Sequence, residues 1–309
     1  MLPVVVTIAS IAIACVVYGV VVERFRYRVI RHRLDILPAG ASPLVVLHLS
    51  DLHFVRRDPR KARFLAGLPT ADVTIVTGDL LGEPEAVETA VASVRAVRGR
   101  IGSWFVLGSN DYFVPRPLNY LAYFRSRRRR RRAKPGRARD LIRGLVADGW
   151  DDLTDSRRQM SLEGLETEVL GLDDAHIGRH DLRVAPRSEG DRFGVAVMHS
   201  PDTAPEAAAL GYGLIVAGHT HGGQVRLPWI GALVSNCSIP PKLASGLVRI
   251  GSAVLHISRG LGTSKFAPFR FWCRPEATYL ELSPRAPGAH GTAARGPVTL
   301  RGSGRGAAW

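Results

Sequence analysis

The stretch LIVAGHTHGGQ, residues 214–224, joins a short apolar run to a loop that carries two histidines. A run of four apolar residues suits a strand that is buried on both faces, and the glycines allow the backbone to approach a ligand closely. His219 and His221 are separated by one residue, so an extended backbone would point both imidazoles to the same side. This stretch therefore predicts a buried strand that delivers two imidazoles to one site.

The same pattern, an apolar run that ends in polar residues, recurs along the chain. The other runs are LVVLHLS (44–50), VTIVTGD (73–79), WFVLGSN (104–110), EVLGLDD (168–174) and FGVAVMHS (193–200). Apolar residues at helical spacing lie between some of them, at 84–97 and 139–150. Alternating strands and helices predict an α/β fold with layered sheets, in which functional sites form at the carboxyl ends of the strands.

The polar residues at these strand ends offer carboxylate, amide and imidazole groups. The candidates are Asp51, His53, Asp79, Asn110, Asp111, His199, His219 and His221. Imidazole combined with carboxylate suits Zn, Fe or Mn, and so many ligands fit two ions that share a bridging carboxylate better than one tetrahedral ion. Each residue alone has a structural explanation, such as a core histidine or a turn aspartate. Their common position at strand ends favours a metal site.

The order of the motifs DLH, GD, GSND, HSP and GHTHGGQ resembles the calcineurin-like metallophosphoesterase superfamily. It is most similar to the membrane-anchored bacterial branch, in which segments like VRLPWIGAL and SRGLGTS follow. The resemblance covers about residues 44–282. It implies a four-layer α/β/β/α sandwich, two divalent metal ions (Mn, Fe or Zn) and hydrolysis of a phosphoester by a metal-bound hydroxide, without a covalent enzyme intermediate.

The resemblance also implies which residues hold which ion. It assigns Asp51, His53 and His221 to the first ion, His199, His219 and an Asn to the second, and Asp79 to the bridge. Arg259 in SRGLGTS and Arg270 in FAPFRFW are candidates for binding the substrate phosphate, because Arg binds phosphate bidentately. A surface or structural role is the alternative for each arginine.

The stretch VLGSNDYF, residues 106–113, departs from the family motif Gly-Asn-His-Asp/Glu. Aligned without a gap, Ser109 takes the ligand position and Asn110 the acid position. A shift of one residue makes Asn110 the ligand and puts Asp111 at the acid position. We favour Asn110 as the ligand, because its amide repeats the family's donor group; Ser109 through water, or Asp111 directly, are the alternatives. The family His is absent in every register, so we expect weaker protonation of the leaving group.

The chain begins with an apolar segment. Leu2–Val22 contains no charged residue, and at about 1.5 Å per residue it would span about 31 Å, close to the thickness of a bilayer core. A cleaved signal peptide is the alternative, but the basic start of such a peptide is missing. Arginines follow at 24–33, and basic flanks tend to stay in the cytoplasm. We expect a single-pass protein of the cell membrane with a cytoplasmic catalytic domain.

These observations predict the following domain organisation. It comprises a transmembrane anchor at 1–23, a basic juxtamembrane linker at 24–43, the metallophosphoesterase domain at 44–283 with an arginine-rich insertion at 125–139, and a disordered tail at 284–309.

The arginine-rich insertion at 125–139 holds ten basic residues and no acidic one, and so accounts for most of the formal net charge of +15. A solvated, disordered segment is the simplest interpretation. Contact with anionic lipid is the functional interpretation that the nearby anchor favours. Contact with nucleic acid is the less favoured one, since no aromatic residue within the run offers stacking.

The sequence therefore predicts a membrane-tethered, metal-dependent phosphohydrolase, either a phosphodiesterase or a phosphatase. The alternative is a catalytically weakened module that binds phosphate ligands or membrane. The missing motif histidine favours this alternative, whereas the otherwise complete set of metal ligands favours the enzyme.

Overall fold

The computed structural model describes residues 2–115, 134–285 and 298–299. Most of the arginine-rich insertion predicted at 125–139 lies outside the described residues, and so does most of the tail predicted at 284–309.

The domain is built from short helices and two large sheets. The helices are α1 (Leu2–Val17), α2 (Pro59–Ala66), α3 (Val87–Arg95), α4 (Ser109–Tyr112), α5 (Ala138–Ala147) and α6 (Ala204–Ala209). The strands are β1 (Arg28–Leu37), β2 (Leu44–Leu49), β3 (Val73–Thr77), β4 (Gly102–Val106), β5 (Asp151–Asp152), β6 (Ser156–Leu162), β7 (Leu165–Leu172), β8 (Phe193–Met198), β9 (Leu214–Ala217), β10 (Arg226–Leu227), β11 (Gly231–Ala232), β12 (Gly246–Ile250), β13 (Ala253–Ile257), β14 (Glu276–Pro284) and β15 (Val298–Thr299).

Each large sheet has a parallel centre. The first sheet has the order β1-β14-β2-β3-β4-β5, and β2 to β5 run parallel. The second has the order β15-β12-β13-β9-β8-β7-β6, and β7, β8, β9 and β13 run parallel. All six apolar runs singled out in the sequence form strands of these parallel centres. Their carboxyl ends therefore share one edge of each sheet.

The two sheets pack face to face. Their inner faces form one core, to which the first sheet contributes Val46, Ile75 and Trp104 and the second Val195 and Leu214. Helices α2, α3 and α5 cover the outer face of the first sheet, and α6 covers the outer face of the second. The layer order is thus α/β/β/α, which confirms the predicted fold class.

The expectation of a linker at 24–43 is wrong for the residues of β1. This strand pairs in parallel with β14 along its whole length, and Leu34 and Leu37 are buried in the core between the sheets. Its arginines lie on the exposed edge, where Arg31 contacts Glu281 of β14 at 3.1 Å. Charges on an edge strand deter pairing with another chain. In the sequence, these charges made the strand look like a basic linker.

The N-terminal segment is helical, as predicted. Residues Leu2–Phe25 form one helical stretch with a mean hydropathy of 2.6, and its length and composition alone would let it cross a membrane. A signal sequence passes the same test. Almost none of the segment is buried in the rest of the chain, so the fold does not use it as a core helix.

Among the described residues, the domain contacts this helical stretch at its end. Gly19 packs so closely against Phe269 that no Cβ would fit there, and the N–H of Arg270 donates to the Gly19 carbonyl at 3.3 Å. Four residues later, the buried carboxylate of Glu23 accepts from the N–H of Cys273 at 2.5 Å. The segment 269–273 is therefore the platform on which the helix end rests.

The position of β1 in the core leads to a test of its structural role. Leu37→Ala removes a fully buried side chain, and we expect a loss of about 2–5 kcal/mol in the free energy of unfolding. By calorimetry the Tm should fall by at least about 4 °C. Val29→Ala, on an exposed position of the same strand, is the matched control and should leave the Tm unchanged. Equal effects of the two substitutions would show that this segment behaves as a linker.

Candidate metal centre

The candidate ligands meet where the carboxyl ends of the parallel strands of the two sheets come together. Asp51 and His53 follow β2, Asp79 follows β3, Asn110 follows β4, His199 follows β8, and His219 and His221 follow β9. Backbone hydrogen bonds join these loops beyond the strands: the N–H of Asp51 donates to Gly78 at 3.0 Å, and the N–H of Gly218 donates to His199 at 2.9 Å. Neighbouring ligand loops of each sheet are thus tied to one another.

Two overlapping groups of side chains are close enough to hold ions. Asp51, His53 and His221 form one group, and Asp51, Asp79 and His199 form the other, each with ligand atoms within 4.8 Å of one another. Asp79 also spans both groups, because its Oδ2 lies 3.6 Å from His53 Nε2 and its Oδ1 lies 3.7 Å from His199 Nε2. Both carboxylates are therefore placed to be shared.

The donor set fits divalent cations. His53 Nε2 faces His221 Nε2 at 3.1 Å, and His199 Nε2 faces His219 Nδ1 at 3.3 Å, so the ring nitrogens of these imidazoles converge. The buried Oδ1 of Asp51 has no hydrogen-bond partner among the described residues. An unpartnered buried carboxylate oxygen is costly, and nitrogen and oxygen donors of this kind are the ligands that Zn, Fe and Mn prefer.

The backbone of the ligands is strained. Asp51, His53, Asp79, His219 and His221 all have positive φ angles, between 43° and 67°, in the left-handed region that favours glycine. Such a conformation costs about 1–3 kcal/mol per residue and persists only where the surroundings enforce it. Five such residues in one site indicate that these loops are built to aim side chains and are not optimised for stability.

The site carries excess negative charge. Burial alone would raise the pKa of the Asp51 carboxyl, but His221 and His199 hold that pKa well below its usual range. Burial also opposes ionisation of Asp79, yet His199 and His53 lower its pKa. In return, although burial disfavours a charged imidazole, Asp79 raises the pKa of His199 to about 10. The two carboxylates therefore stay ionised in the interior, and a cation would neutralise them.

His53 and His221 are in the form that binds metal. Burial lowers the pKa of both, and that of His221 falls to about 3. Burial therefore favours the neutral form of both imidazoles, and a neutral ring has a nitrogen lone pair available for an ion.

The loop 108–111 lies next to Asp79. The backbone N–H of Asn110 donates to Asp79 Oδ1 at 2.8 Å, and the side-chain amide donates to Asp79 Oδ2 at 2.5 Å. The hydroxyl of Ser109 makes no hydrogen bond with any described residue. Of the two residues, the structure brings Asn110 to the carboxylate that is shared by both ligand groups.

Asp111 lies away from the catalytic position expected for it. The side chain is fully buried, and its two oxygens accept from the N–H groups of Leu81 at 2.9 Å and Gly108 at 3.0 Å. Burial and the neighbouring Asp79 raise its pKa to about 7. Because backbone donors engage both oxygens, this carboxyl group ties the loop to the segment that follows β3 and does not face an open substrate site.

Arg270 also differs from the expectation. It is fully buried, and its guanidinium donates to the carbonyls of Arg259 at 2.7 Å and Gly262 at 2.6 Å. The same group lies 3.4 Å from His221 Nδ1, on the side of the ring away from His53. Arg270 therefore holds a ligand loop in place and is not available to substrate.

Arg259 is partly exposed. Its Nε donates to the Ser245 hydroxyl at 3.2 Å and lies 3.6 Å from Glu276. Its side chain packs against Gly222, behind the loop that carries His221. This position is at the back of the site and does not show a contact that substrate phosphate would make.

Two residues that the sequence reasoning missed complete the surroundings of the second group. The ring of His176 lies 4.3 Å from that of His219, centroid to centroid. The buried Oδ2 of Asp174 has no hydrogen-bond partner among the described residues, and Asp174 is the next carboxylate after Asp79 in raising the pKa of His199. The signal was present, since EVLGLDD ends in aspartates as the ligand-bearing runs do.

A comparison with known proteins shows which family this chain resembles. A family model described as calcineurin-like phosphoesterase matches residues 44–223, which contain all seven proposed metal ligands. The metallophosphoesterase YkuE of Bacillus subtilis is 24% identical over 261 residues, covering 80% of this chain and 82% of the relative.

Two further relatives have names that state a property. The phosphodiesterase YaeI of Escherichia coli is 26% identical, and the match covers 83% of this chain and 88% of YaeI. A bovine protein named transmembrane protein with metallophosphoesterase domain is 27% identical and covers 80% of this chain, which spans 54% of that relative.

Because Asp51 belongs to both ligand groups, its charge should be essential for binding metal. We expect Asp51→Asn, which keeps the shape of the side chain, to lower the affinity for Mn²⁺ at least about tenfold, a change of about 1.4 kcal/mol. Metal content after dialysis, measured by inductively coupled plasma mass spectrometry, checks this. Asp181→Asn, at a half-buried aspartate that lies outside both ligand groups and pairs with Arg183, is the matched control. Unchanged metal content in Asp51→Asn would contradict the assignment.

Proposed function

This chain belongs to the calcineurin-like phosphoesterase family of metal-dependent phosphoester hydrolases, and from that premise we propose that it works with a dinuclear metal centre while tethered to a membrane by α1. The observation that carries the proposal is the position of two buried carboxylates, Asp51 and Asp79, between two sets of imidazoles.

The proposed ligand assignment follows from these contacts. His53, His221 and Asp51 would hold the first ion, His199, His219 and Asn110 would hold the second, and Asp79 would be shared between them. Asn110 is chosen over Ser109 because its amide group adjoins Asp79. When bound, two such ions lower the pKa of water and neutralise charge on the phosphoryl group.

The protein's own residues prepare this chemistry by fixing positions. Asp111 clamps the 108–111 loop through Gly108 and Leu81, and thereby sets where Asn110 stands. Arg270 fixes the backbone around Gly262 and supports His221 from behind. Burial of the carboxylates excludes water from their far sides, which strengthens their interaction with a cation.

Protonation of the leaving group is the weak point of the proposed enzyme. The 108–111 loop contains no imidazole, and the carboxyl of Asp111 is held by two backbone donors. We therefore infer a preference for esters whose leaving group departs without a proton. The name of YaeI supports a phosphodiester as the substrate.

The membrane tether rests on α1 and on what surrounds it. The helical stretch Leu2–Phe25 is long and apolar, and the bovine relative is named as a transmembrane protein. The arginines that follow it favour a cytoplasmic catalytic domain at the cell membrane.

The first test is hydrolysis of an aryl phosphodiester, bis(p-nitrophenyl) phosphate, by the full chain in detergent with added Mn²⁺. We expect turnover, and at least about a hundredfold lower kcat/KM in Asp79→Asn, because the bridge between the ions is weakened. Glu163→Gln, an exposed carboxylate paired with Arg100, is the control and should keep wild-type activity. Two bound ions without turnover on any ester would instead support the weakened, phosphate-binding module.

The second test concerns the leaving group. Ser109→His places an imidazole next to the proposed ligand Asn110, and general acid catalysis contributes about 10²–10⁴-fold where it operates. We expect this variant to raise the rate on an alkyl phosphodiester relative to the aryl one. Ser109→Ala is the control that removes the hydroxyl without adding an acid. The same rate ratio in all three proteins would refute the idea that the missing imidazole limits catalysis.

A further inference from the structure

We propose that the hairpin formed by β10 and β11, together with Trp272, inserts into the surface of a phospholipid bilayer beside α1, with a lipid phosphate seated in the arginine-lined cavity at its base. This inference rests on the membrane tether proposed above, and goes beyond it by assigning a second lipid contact to the catalytic domain itself.

The hairpin exposes an apolar surface that the domain does not cover. Its exposed apolar residues are Leu227, Trp229, Ile230, Leu233 and Val234. Trp229 at the tip is completely exposed. Trp272, which follows the residue that pairs with the hairpin base, is 62% exposed. A contiguous exposed apolar patch on a soluble domain marks an interaction site with a membrane or a partner.

Folding does not explain the two tryptophans. Trp229 has a φ of 64° and Trp272 a φ of 53°, in the left-handed region where glycine or asparagine would be less strained. Both side chains are mostly exposed to solvent, so burial of neither ring offsets the free-energy cost of the strained backbone. Tryptophan is the residue that prefers the interface between water and lipid, where an apolar ring is anchored at headgroup level.

Contacts place the hairpin next to the end of the apolar helical stretch. Val225 forms a bridge with Phe271, and the N–H of Arg226 donates to the Phe271 carbonyl at 2.9 Å. The ring of Phe271 meets the ring of Tyr18 edge-on at 6.5 Å. The same platform segment that supports the helix end at Gly19 thus supports the base of the hairpin. A bilayer that holds α1 would therefore lie close to the exposed tip.

A cavity of about 550 Å³ opens between the hairpin base and the helix end. Its lining includes Glu23, Trp272 and four arginines, which are Arg28, Arg226, Arg259 and Arg274. This volume is within the range of ligand sites and accommodates a phosphate headgroup.

The cavity has a net positive charge. The acidic groups that face its arginines are Glu23 and Glu276, and Glu276 lies 2.7 Å from Arg28 and 3.6 Å from Arg259. The other two arginines have no carboxylate partner among the described residues. Arg226 donates to the Gly222 carbonyl at 3.1 Å, and Arg274 donates to the Arg26 carbonyl at 3.0 Å. Guanidinium groups held in this way are suited to bind a lipid phosphate.

The combination of features favours lipid over a protein partner. An apolar tip, flanking tryptophans and arginines at the base reproduce the order of acyl chains, interface and phosphates across one leaflet. The surface is also continuous with a helix that is apolar on all sides. Docking in this way fixes the metal centre relative to the lipid surface, because Arg226 holds the carbonyl of Gly222, next to the ligand His221.

The test measures the depth of Trp229 with the full chain in vesicles of phosphatidylcholine and phosphatidylglycerol. Vesicle flotation first establishes that the chain is anchored. Tryptophan fluorescence is then quenched by lipids with brominated acyl chains, and the signal of Trp229→Phe is subtracted from that of the wild type. We expect bromine to quench about half or more of the Trp229 signal, since interfacial side chains reach about 5–10 Å into the leaflet.

A matched control places a tryptophan on another exposed apolar position, in the double variant Trp229→Phe/Val146→Trp. Val146 lies on α5, and its replacement should be quenched by aqueous acrylamide and not by bromine. Arg226→Gln and Arg274→Gln should lower the quenching of Trp229 in vesicles that contain phosphatidylglycerol, and inorganic phosphate should not compete at millimolar concentration.

The outcomes separate the two proposals. A chain that does not float overturns the tether and the hairpin inference together. A chain that floats while Trp229 stays open to acrylamide and unquenched by bromine overturns the hairpin inference alone. Protection of Trp229 from both quenchers would show a contact with another protein copy and would also overturn it. Competition by inorganic phosphate would assign the cavity to a soluble phosphate ligand.

Discussion

The carboxylates of Asp51 and Asp79 are buried at the junction of the two sheets, and the conformation of the surrounding loops depends on them. A buried charge is expensive unless it is paired, and here the surrounding groups are imidazoles, two of which burial keeps neutral. The carboxylates therefore favour cations, and the loops around them accept left-handed backbone angles to keep their ligands aimed inward. The stability of the two parallel sheet centres offsets this local cost, because the strained residues lie just beyond well-packed strands.

The same constraint extends from the centre toward the N-terminal helix. Behind His221 lies the buried Arg270, whose backbone N–H reaches Gly19 and whose neighbour Cys273 donates to Glu23. One short segment thus contacts the ligand loop, the helix end and the base of the apolar hairpin. In the proposed membrane-bound state, the distance between the metal centre and the lipid surface is set by packing within the domain, without a flexible linker between them.

The sequence predicted the parts of this structure that follow a local rule. Short apolar runs ending in polar residues identified the parallel strands and the candidate ligands at their carboxyl ends, because both features are properties of one segment at a time. It missed β1 because the arginines of that strand hid its alternation of buried and exposed residues. That alternation arises from pairing with β14, which is distant in the sequence. It also misjudged Asp111 and Arg270. Whether a charged side chain faces substrate or is buried against backbone depends on how distant loops meet, as when Leu81 donates to Asp111.

The central claim is that the shared carboxylates organise two ions. Anomalous diffraction from crystals of the chain grown with Mn²⁺ tests it most directly. The account predicts two peaks about 3.5–4 Å apart on either side of Asp79, with Asn110 beside the ion that His199 binds. A single peak, or peaks remote from Asp79, would contradict it.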